Sequence, residues 1–416
     1  MTATSARGAR ATGAARTRRV RVGMLGQFGS GNIGNNASME AVLAYLRAAH
    51  PDADLDIMCG GPEDVRERYK VSAVPMMWDT ASNASGVAAI PLKVLGKGIE
   101  YWRIVTWTRR HDAVIIPGMG VLEATLPVPF WTGPLRHYLV SLAGRLFGTK
   151  VGYVSVGASV VAQPVTRWLF RQSVQLADYC SCRDSRSQGV LKSWGIDVAS
   201  IPVYPDLAFA LTGPPRQAGD PNLVCVGVMD YYGGDADRTR SAIRTAYVAE
   251  MMRFVRWLLE EGKDVCLLVG DTNGSDQTVV DEILSGIGQS MPGLAEGRLT
   301  EKQVIGIDDV QAAMAPAGTV VATRFHNVVA SFMLGKPTIA ISYGAKHDSL
   351  MADWGMAEYC LPLKTLDHEE LARSFKRLAD RAPQLWQELG ERKAAAEQLL
   401  ADQFKLVSDT LLPPGE

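Results

Sequence analysis

Long apolar runs are missing from this 416-residue chain. No stretch of about 18 purely apolar residues occurs, which removes a membrane-spanning helix from consideration. An excess of either charge is absent too, since the formal net charge is -1. Without an overall positive field there is no electrostatic pull toward nucleic acid, and no nucleic-acid partner is expected. Cysteine is sparse: Cys59, Cys180, Cys182, Cys225, Cys266 and Cys360 are scattered, mostly in strand-like runs such as LVCVGV and VCLLVG. That distribution excludes a disulfide scaffold and reads as reduced core residues. No His/Cys/Asp cluster is visible, so neither a metal nor a cofactor is required. Residues 1–19, MTATSARGARATGAARTRR, contain no acid and no apolar segment. They exclude a secretory signal and read as a disordered basic tail on a cytoplasmic protein.

What is present is ordinary globular material, 47% hydrophobic and 21% charged. Short apolar runs alternate with helical patterns. VRVGMLG (Val20–Gly26) reads as a strand and Asn36–His50 as a helix, with Met39, Val42, Leu43 and Leu46 on one face. Strands follow at DLDIMCGG, AVIIPGMG and VGYVSVGAS. The pattern breaks in the Pro/Gly-rich LTGPPRQAGDPN, read as a linker over 212–222. It restarts with LVCVGVMDYY, DVCLLVGDT, QVIGI, TVVAT and PTIAISYG as strands, and helices over Asp367–Asp380 and Ala382–Phe404 close it. Strands spaced by helices mean parallel sheets. The expectation is two doubly wound Rossmann-like domains, 20–211 and 223–380, with a helical segment over 381–416 and a cleft between the domains.

Open parallel sheets bind ligands beyond the carboxyl ends of their strands. After the first strand comes GQFGSGNIGNNAS. Gly29, Gly31 and Gly34 suit either close approach of a ligand to a helix N-terminus or a tight turn, and Asn32 and Asn35 point to a ligand-facing loop. Gly118 and Gly120 end another strand, followed by Glu123, either a helix-cap acid or a site carboxylate. Arg183 and Arg186 begin a helix; they are surface charges or anion contacts. Asp206, at the end of VYPD, faces the cleft or caps the next turn. In the second half, Arg324, Phe325 and His326 begin the helix after TVVAT. Two basic side chains there oppose the helix dipole unless an anion is bound. The same surroundings keep His326 neutral and fit it to act as a general base. Lys346 and His347, in SYGAKHDSLM, add to that anion pocket.

Taken in order over roughly residues 20–360, these segments resemble the polysaccharide pyruvyl transferases. GNIGNNASMEAVL is similar to the family's N-terminal Gly-Asn-x-Gly-Asp loop, SCRDSRS and VYPD to its Arg-x-x-x-Ser and Pro-Asp segments, and ATRFHNVVASFMLGKPTIAISYGAKHDSL to its Arg-x-His helix and Ser-Tyr-x-x-Lys loop. The resemblance implies an architecture like that of GT-B glycosyltransferases. It implies transfer of the pyruvate unit of phosphoenolpyruvate to a sugar as a ketal, with release of phosphate. Arg324, Phe325, one of Arg183 and Arg186, and Lys346 would hold the donor, and the glycine and asparagine loops the acceptor. His326, with Asp206 or Glu123, would move protons. Asn35 departs from the Asp of many members, and Met119 stands in a run that is often richer in glycine. A sugar or lipid-linked sugar acceptor is implied. The basic, aromatic segments Leu92–Ala113 and Pro129–Lys150 raise contact with the inner face of the cytoplasmic membrane, or plain domain packing. Two rivals stay open: a glycosyltransferase using a nucleotide sugar, and a non-catalytic ligand-binding relative. The acceptor and the oligomeric state are not legible.

Overall fold

The computed structural model describes residues 19–77, 90–124, 129–233, 242–269 and 275–413. The expected basic tail therefore lies outside them, Arg19 excepted. Two six-stranded sheets carry the chain, and every pairing in them is parallel. The first, ordered β3-β2-β1-β4-β5-β6, contains β1 (Arg21–Gly26), β2 (Asp54–Cys59), β3 (Ser72–Pro75), β4 (Ala113–Pro117), β5 (Lys150–Val156) and β6 (Tyr179–Cys182). Its helices are α1 (Ile33–Ala49), α2 (Pro62–Tyr69), α3 (Ile90–Thr108), α4 (Gly133–Phe147), α5 (Pro164–Leu176) and α6 (Ser185–Ser193). The second, ordered β12-β11-β10-β7-β8-β9, contains β7 (Asp220–Val228), β8 (Asp264–Val269), β9 (Leu299–Gln303), β10 (Ala317–Ala322), β11 (Thr338–Ser342) and β12 (Cys360–Pro362). Its helices are α7 (Ala242–Glu260), α8 (Ser275–Ser290), α9 (Pro292–Ala295), α10 (Ile307–Met314), α11 (Phe325–Met333), α12 (Ala345–Asp353) and α13 (His368–Leu411). No helix among the described residues is long and apolar enough to cross a membrane.

The central strands are continuous apolar runs because both of their faces are covered. All of β4 and all of β11 are buried, as parallel strands under helices must be. Strand order reverses between β1 and β4 in one sheet and between β7 and β10 in the other. Those reversals open crevices at the carboxyl ends, and the loops after β1, β4 and β10 hold most of the expected site residues.

Three expectations shift. Asp220–Asn222, read as the end of the linker, instead open β7. QVIGI is not a strand: β9 ends at Gln303, and its largely exposed LTEKQ sequence hid it as an edge strand. The helices read at Asp367–Asp380 and Ala382–Phe404 are one helix, so no change of element occurs at 381. Pro383 removes one backbone donor there without stopping the helix. The buried positions Leu371, Phe375 and Leu378 before it and Leu385 and Leu389 after it keep one face packed.

That long helix joins the two sheets. Near its start Phe375 meets Trp257 edge-on, centroids 5.8 Å apart. Near its end Phe404 stacks on Tyr45 of α1 at 4.8 Å, and the Tyr45 hydroxyl lies 2.9 Å from Ser408 Oγ. Gln403, fully buried, donates to Ser155 and Ser181 at 2.9 Å each.

The segment between the sheets is tied down by Lys336. Its ammonium, on a fully buried side chain, donates to the carbonyls of Gln217, Ala218, Ala315 and Ala317 at 2.6–3.2 Å. Lys336→Met keeps the stem and strands the buried Ala315 and Ala317 carbonyls. Each buried acceptor left unpaired costs roughly 1–3 kcal/mol. The apparent Tm is expected to fall by roughly 5 °C or more, as read by differential scanning fluorimetry.

Candidate functional site

Arg324 is the N-cap residue of α11 and His326 lies in its first turn. The unfavourable placement of a cation at a helix start is resolved within the chain. Arg324 Nε and an Nη donate to the two oxygens of Asp276 at 2.8 and 2.7 Å. Asp276 is fully buried in the first turn of α8 and also accepts from the Asp230 N–H at 2.8 Å. The guanidinium at this helix start is thus met by a carboxylate of the protein itself. Sequence reading passed over Asp276. The signal was available: an acid in the first helical turn after the strand DVCLLV, on the strand next to the switch point.

His326 reaches the other sheet. A Cβ built on Gly34 would lie 1.8 Å from His326 Cε1 and 2.0 Å from Nε2, so the imidazole occupies the space a side chain at residue 34 would need. Glycine is required at position 34 by this contact. Among the described residues neither ring nitrogen of His326 has a hydrogen-bond partner. Burial, then Lys346, Arg183 and Arg324, push its pKa down to about 3. These surroundings favour the neutral form of the ring.

Phe325 organises the cations. Arg183 Cζ lies 5.4 Å and Lys346 Nζ 5.2 Å from its ring centroid, within cation–π range. Arg183 comes from the first sheet, following β6, and Lys346 from the first turn of α12. Arg183 is held by Glu123 at 2.7 Å, and its Nε lies 3.5 Å from Asp184. Among the described residues Lys346 has no carboxylate partner. Both line a cavity of ≈ 310 Å³ with Asp206, Phe325, Trp354 and Arg392. Asp206 caps a short 3-10 turn by accepting from the Ala208 N–H at 3.0 Å, and burial raises its pKa, with Arg183 opposing. Both readings of Asp206 therefore hold. Arg392, from α13, was missed because nothing in a helix far down the chain signals a return to the cleft.

Other expected residues are placed elsewhere. Glu123 is no helix cap; it sits in a turn and pairs with Arg183. Arg186 is exposed and does not line the cavity, so of the two arginines Arg183 is the cleft residue. Asn32 is the N-cap of α1, its Oδ1 accepting from the Gly34 and Asn35 N–H groups at 3.1 and 3.2 Å. Asn35 donates to the Gln27 carbonyl at 3.2 Å. Gly29 and Gly31 form the turn before α1, where Gly29 N–H donates to buried Asn36. Gly120 lies against the Glu123 carboxylate. Gly118 and Met119 both have left-handed backbones, φ 53° and 59°, which makes glycine the easier residue at 119 and methionine a strained one. His326 does not line the cavity of Arg183 and Lys346; it lies next to Phe325 with its ring toward α1. The residues Glu250, Asp367 and His368 bring ligand-type atoms within 4.8 Å of one another, although His368 Nδ1 is already bonded to Glu250 at 2.8 Å.

His347 is wholly buried. Its Nε2–H donates to the Thr323 carbonyl at 3.0 Å, and burial with Lys346 lowers its pKa from 6.5 to about 3. Below pH 6.5 the unfolded chain takes up a proton that the folded chain refuses until about 3. Stability is therefore lost as pH falls through that window, by about 2 kcal/mol at pH 5 for this one imidazole. His347→Gln keeps the donor and removes the titration. Its apparent Tm is expected to fall less than the wild type's between pH 7 and pH 5.

Comparison with known proteins agrees with this architecture. The family model for polysaccharide pyruvyl transferases matches residues 32–345. No curated protein sequence matches the chain. Among solved structures, the UDP-GlcNAc 2-epimerase of Neisseria meningitidis bound to UDP-GlcNAc is similar at TM-score 0.59 and 11% identity, over 95% of this chain and 100% of that one. A putative epimerase of Listeria monocytogenes gives 0.59 and 14%, over 94% and 97%. A glycosyltransferase of Rickettsia africae gives 0.56 and 11%, over 95% and 100%. At these identities the likeness is one of fold, the two-sheet GT-B type.

Proposed function

The chain belongs to the polysaccharide pyruvyl transferase family, and from that premise we propose that it transfers the pyruvate unit of phosphoenolpyruvate to two hydroxyls of a sugar. The observation that carries the proposal is the pairing of two cations over Phe325 with a neutral, unbonded imidazole beside it. A donor with both a carboxylate and a phosphate needs more than one cation. Arg183 and Lys346, which line one cavity with Arg392, would supply them. Arg324 acts differently: fixed on Asp276, it helps to keep His326 unprotonated.

The chemistry balances with these groups. One acceptor hydroxyl adds to the substituted alkene carbon while the methylene carbon gains a proton and becomes methyl. Asp206, a buried carboxyl whose pKa burial raises, gives its proton to the methylene carbon and takes back the proton that the adding hydroxyl loses. The second hydroxyl attacks the same carbon and phosphate leaves with the electron pair of the broken C–O bond. His326 takes the proton of that hydroxyl and returns it to the departing phosphate. Glu123 is assigned to orienting Arg183 rather than to proton transfer, since its carboxylate is already engaged.

The test is incubation with phosphoenolpyruvate and a panel of free and lipid-linked sugars, following phosphate release and product mass. Phosphate release that depends on the acceptor, with a ketal-bearing product, is the expected result. Release of a nucleoside diphosphate from a nucleotide sugar, and none of phosphate, would make the protein a glycosyltransferase. Binding of phosphoenolpyruvate without turnover on any acceptor would make it a non-catalytic relative.

A further inference from the structure

The outer helices of the first sheet carry the wrong residues for a surface in water. Helix α4 packs against both α3 and α5, so the three lie side by side. On α3 the outward stripe is Leu95, Ile99, Trp102 and Val105, ending at Arg109. On α4 the positions open to solvent include Leu135, Tyr138, Leu142 and Leu146. A surface helix normally turns its polar face outward. Here Leu95, Trp102 and Leu146 are 61%, 66% and 67% exposed, and Trp168 of α5 is 50% exposed. Phe130 and Trp131, ahead of α4, are exposed too, and the Trp131 carbonyl accepts from Tyr101 of α3. The apolar positions thus run from one helix to the next.

Their charge is one-sided. The three helices contain a single acid, Glu100. It is buried and paired with Lys97 and Arg136. Arg145 and Arg167 are exposed on α4 and α5, and Arg109 and Arg110 on the turn after α3. This concentration sits on a chain whose net charge is -1. Arg109 lies over the ring of Phe147, 5.2 Å from its centroid, so cation and aromatic share one edge of the face.

We propose that the α3–α4–α5 face docks on an anionic lipid bilayer. Exposed Leu and Trp enter the boundary between headgroups and acyl chains, while arginines meet lipid phosphates. Each cation close to such a surface strengthens partitioning by about fivefold. A second copy of the chain fits the face less well, because two-fold pairing would set arginines against arginines. Nucleic acid would leave the Leu and Trp stripes without an apolar partner. The inference stands apart from the donor chemistry and is tested without turnover.

The experiment is co-sedimentation of the full chain with phosphatidylcholine vesicles, with and without phosphatidylglycerol. The protein is expected to pellet with the anionic vesicles, less with neutral ones, and less again in high salt. Trp102→Glu and Leu146→Glu, both at exposed sites, should each weaken partitioning by about tenfold or more with unchanged thermal unfolding. Arg109→Ala with Arg145→Ala should remove the preference for anionic lipid. Protein left in the supernatant with both vesicle types would overturn the proposal. So would variants that pellet like the wild type, or a solution dimer that Trp102→Glu converts to monomer.

Discussion

Replacing Gly34 by alanine is expected to cost most of the turnover while leaving the protein folded. The new Cβ would fall 1.8 Å from His326 Cε1, far inside van der Waals contact. Either the first turn of α1 retreats or the imidazole rotates away. The helix is held by the Asn32 cap and by a buried face that includes Ala37, Met39 and Val42. The imidazole, without a hydrogen-bond partner among the described residues, moves more easily. In the proposed mechanism a displaced imidazole would lose alignment with the attacking hydroxyl, and misplacement of about 1 Å lowers kcat by about 100-fold. KM for phosphoenolpyruvate should change little, because Arg183 and Lys346 are untouched. The control is a double-mutant cycle. In a His326→Ala background the space beside residue 34 is already empty, so Gly34→Ala should have almost no further effect on phosphate release. Full additivity would show that Gly34 acts through the α1 backbone and not through His326.

His326→Gln is the second large effect. Glutamine keeps a polar group of similar reach but cannot serve as a base near neutral pH. Acceptor-dependent phosphate release should fall by about 10²–10⁴-fold, and retention of full activity would end the assignment. The pH profile gives an independent reading. With its pKa pushed down to about 3 by burial and three cations, the free enzyme's imidazole stays neutral through the acidic range. The wild-type kcat/KM should therefore show no acidic limb near pH 6.5 from this group. A limb there that disappears in His326→Gln would mean the ring protonates at its ordinary pKa, and the cationic surroundings would then not be controlling it.

Much of the fold was legible because parallel α/β chains announce themselves locally. A run such as TVVAT or AVIIP is apolar from end to end only when both faces are covered, and the helix after it must then return over the sheet. The pair Arg324 and His326 was legible for the same reason: polar residues at the end of a buried strand stand out. What the sequence hid was partnership at a distance. Asp276 lies 48 positions from Arg324, and nothing local marks it as the counter-charge that occupies the guanidinium. Gly34 read as part of a ligand-approach loop or a tight turn, and nothing local showed that it leaves room for His326 from the other sheet. Arg183 and Arg186 were equivalent on paper. The helix cap at Asp184 fixes the strand end so that Arg183 turns inward and Arg186 outward. β9 and the unbroken α13 were misread because edge strands lose the apolar signal and because one proline is tolerated when packing continues on both sides.

The path of α13 bears on how the protein is made. Gln403, Phe404 and Ser408 complete contacts with Ser155, Ser181 and Tyr45, residues that leave the ribosome more than two hundred positions earlier. The first sheet emerges before α13 yet waits for Gln403 before its polar interior at Ser155 and Ser181 is satisfied. During synthesis it exists with those hydroxyls and the flank of α1 open, a state exposed to chaperones and proteases. Premature termination before Gln403 would therefore injure the first sheet, and nascent chains stalled before Gln403 should be cleaved there while released chains resist.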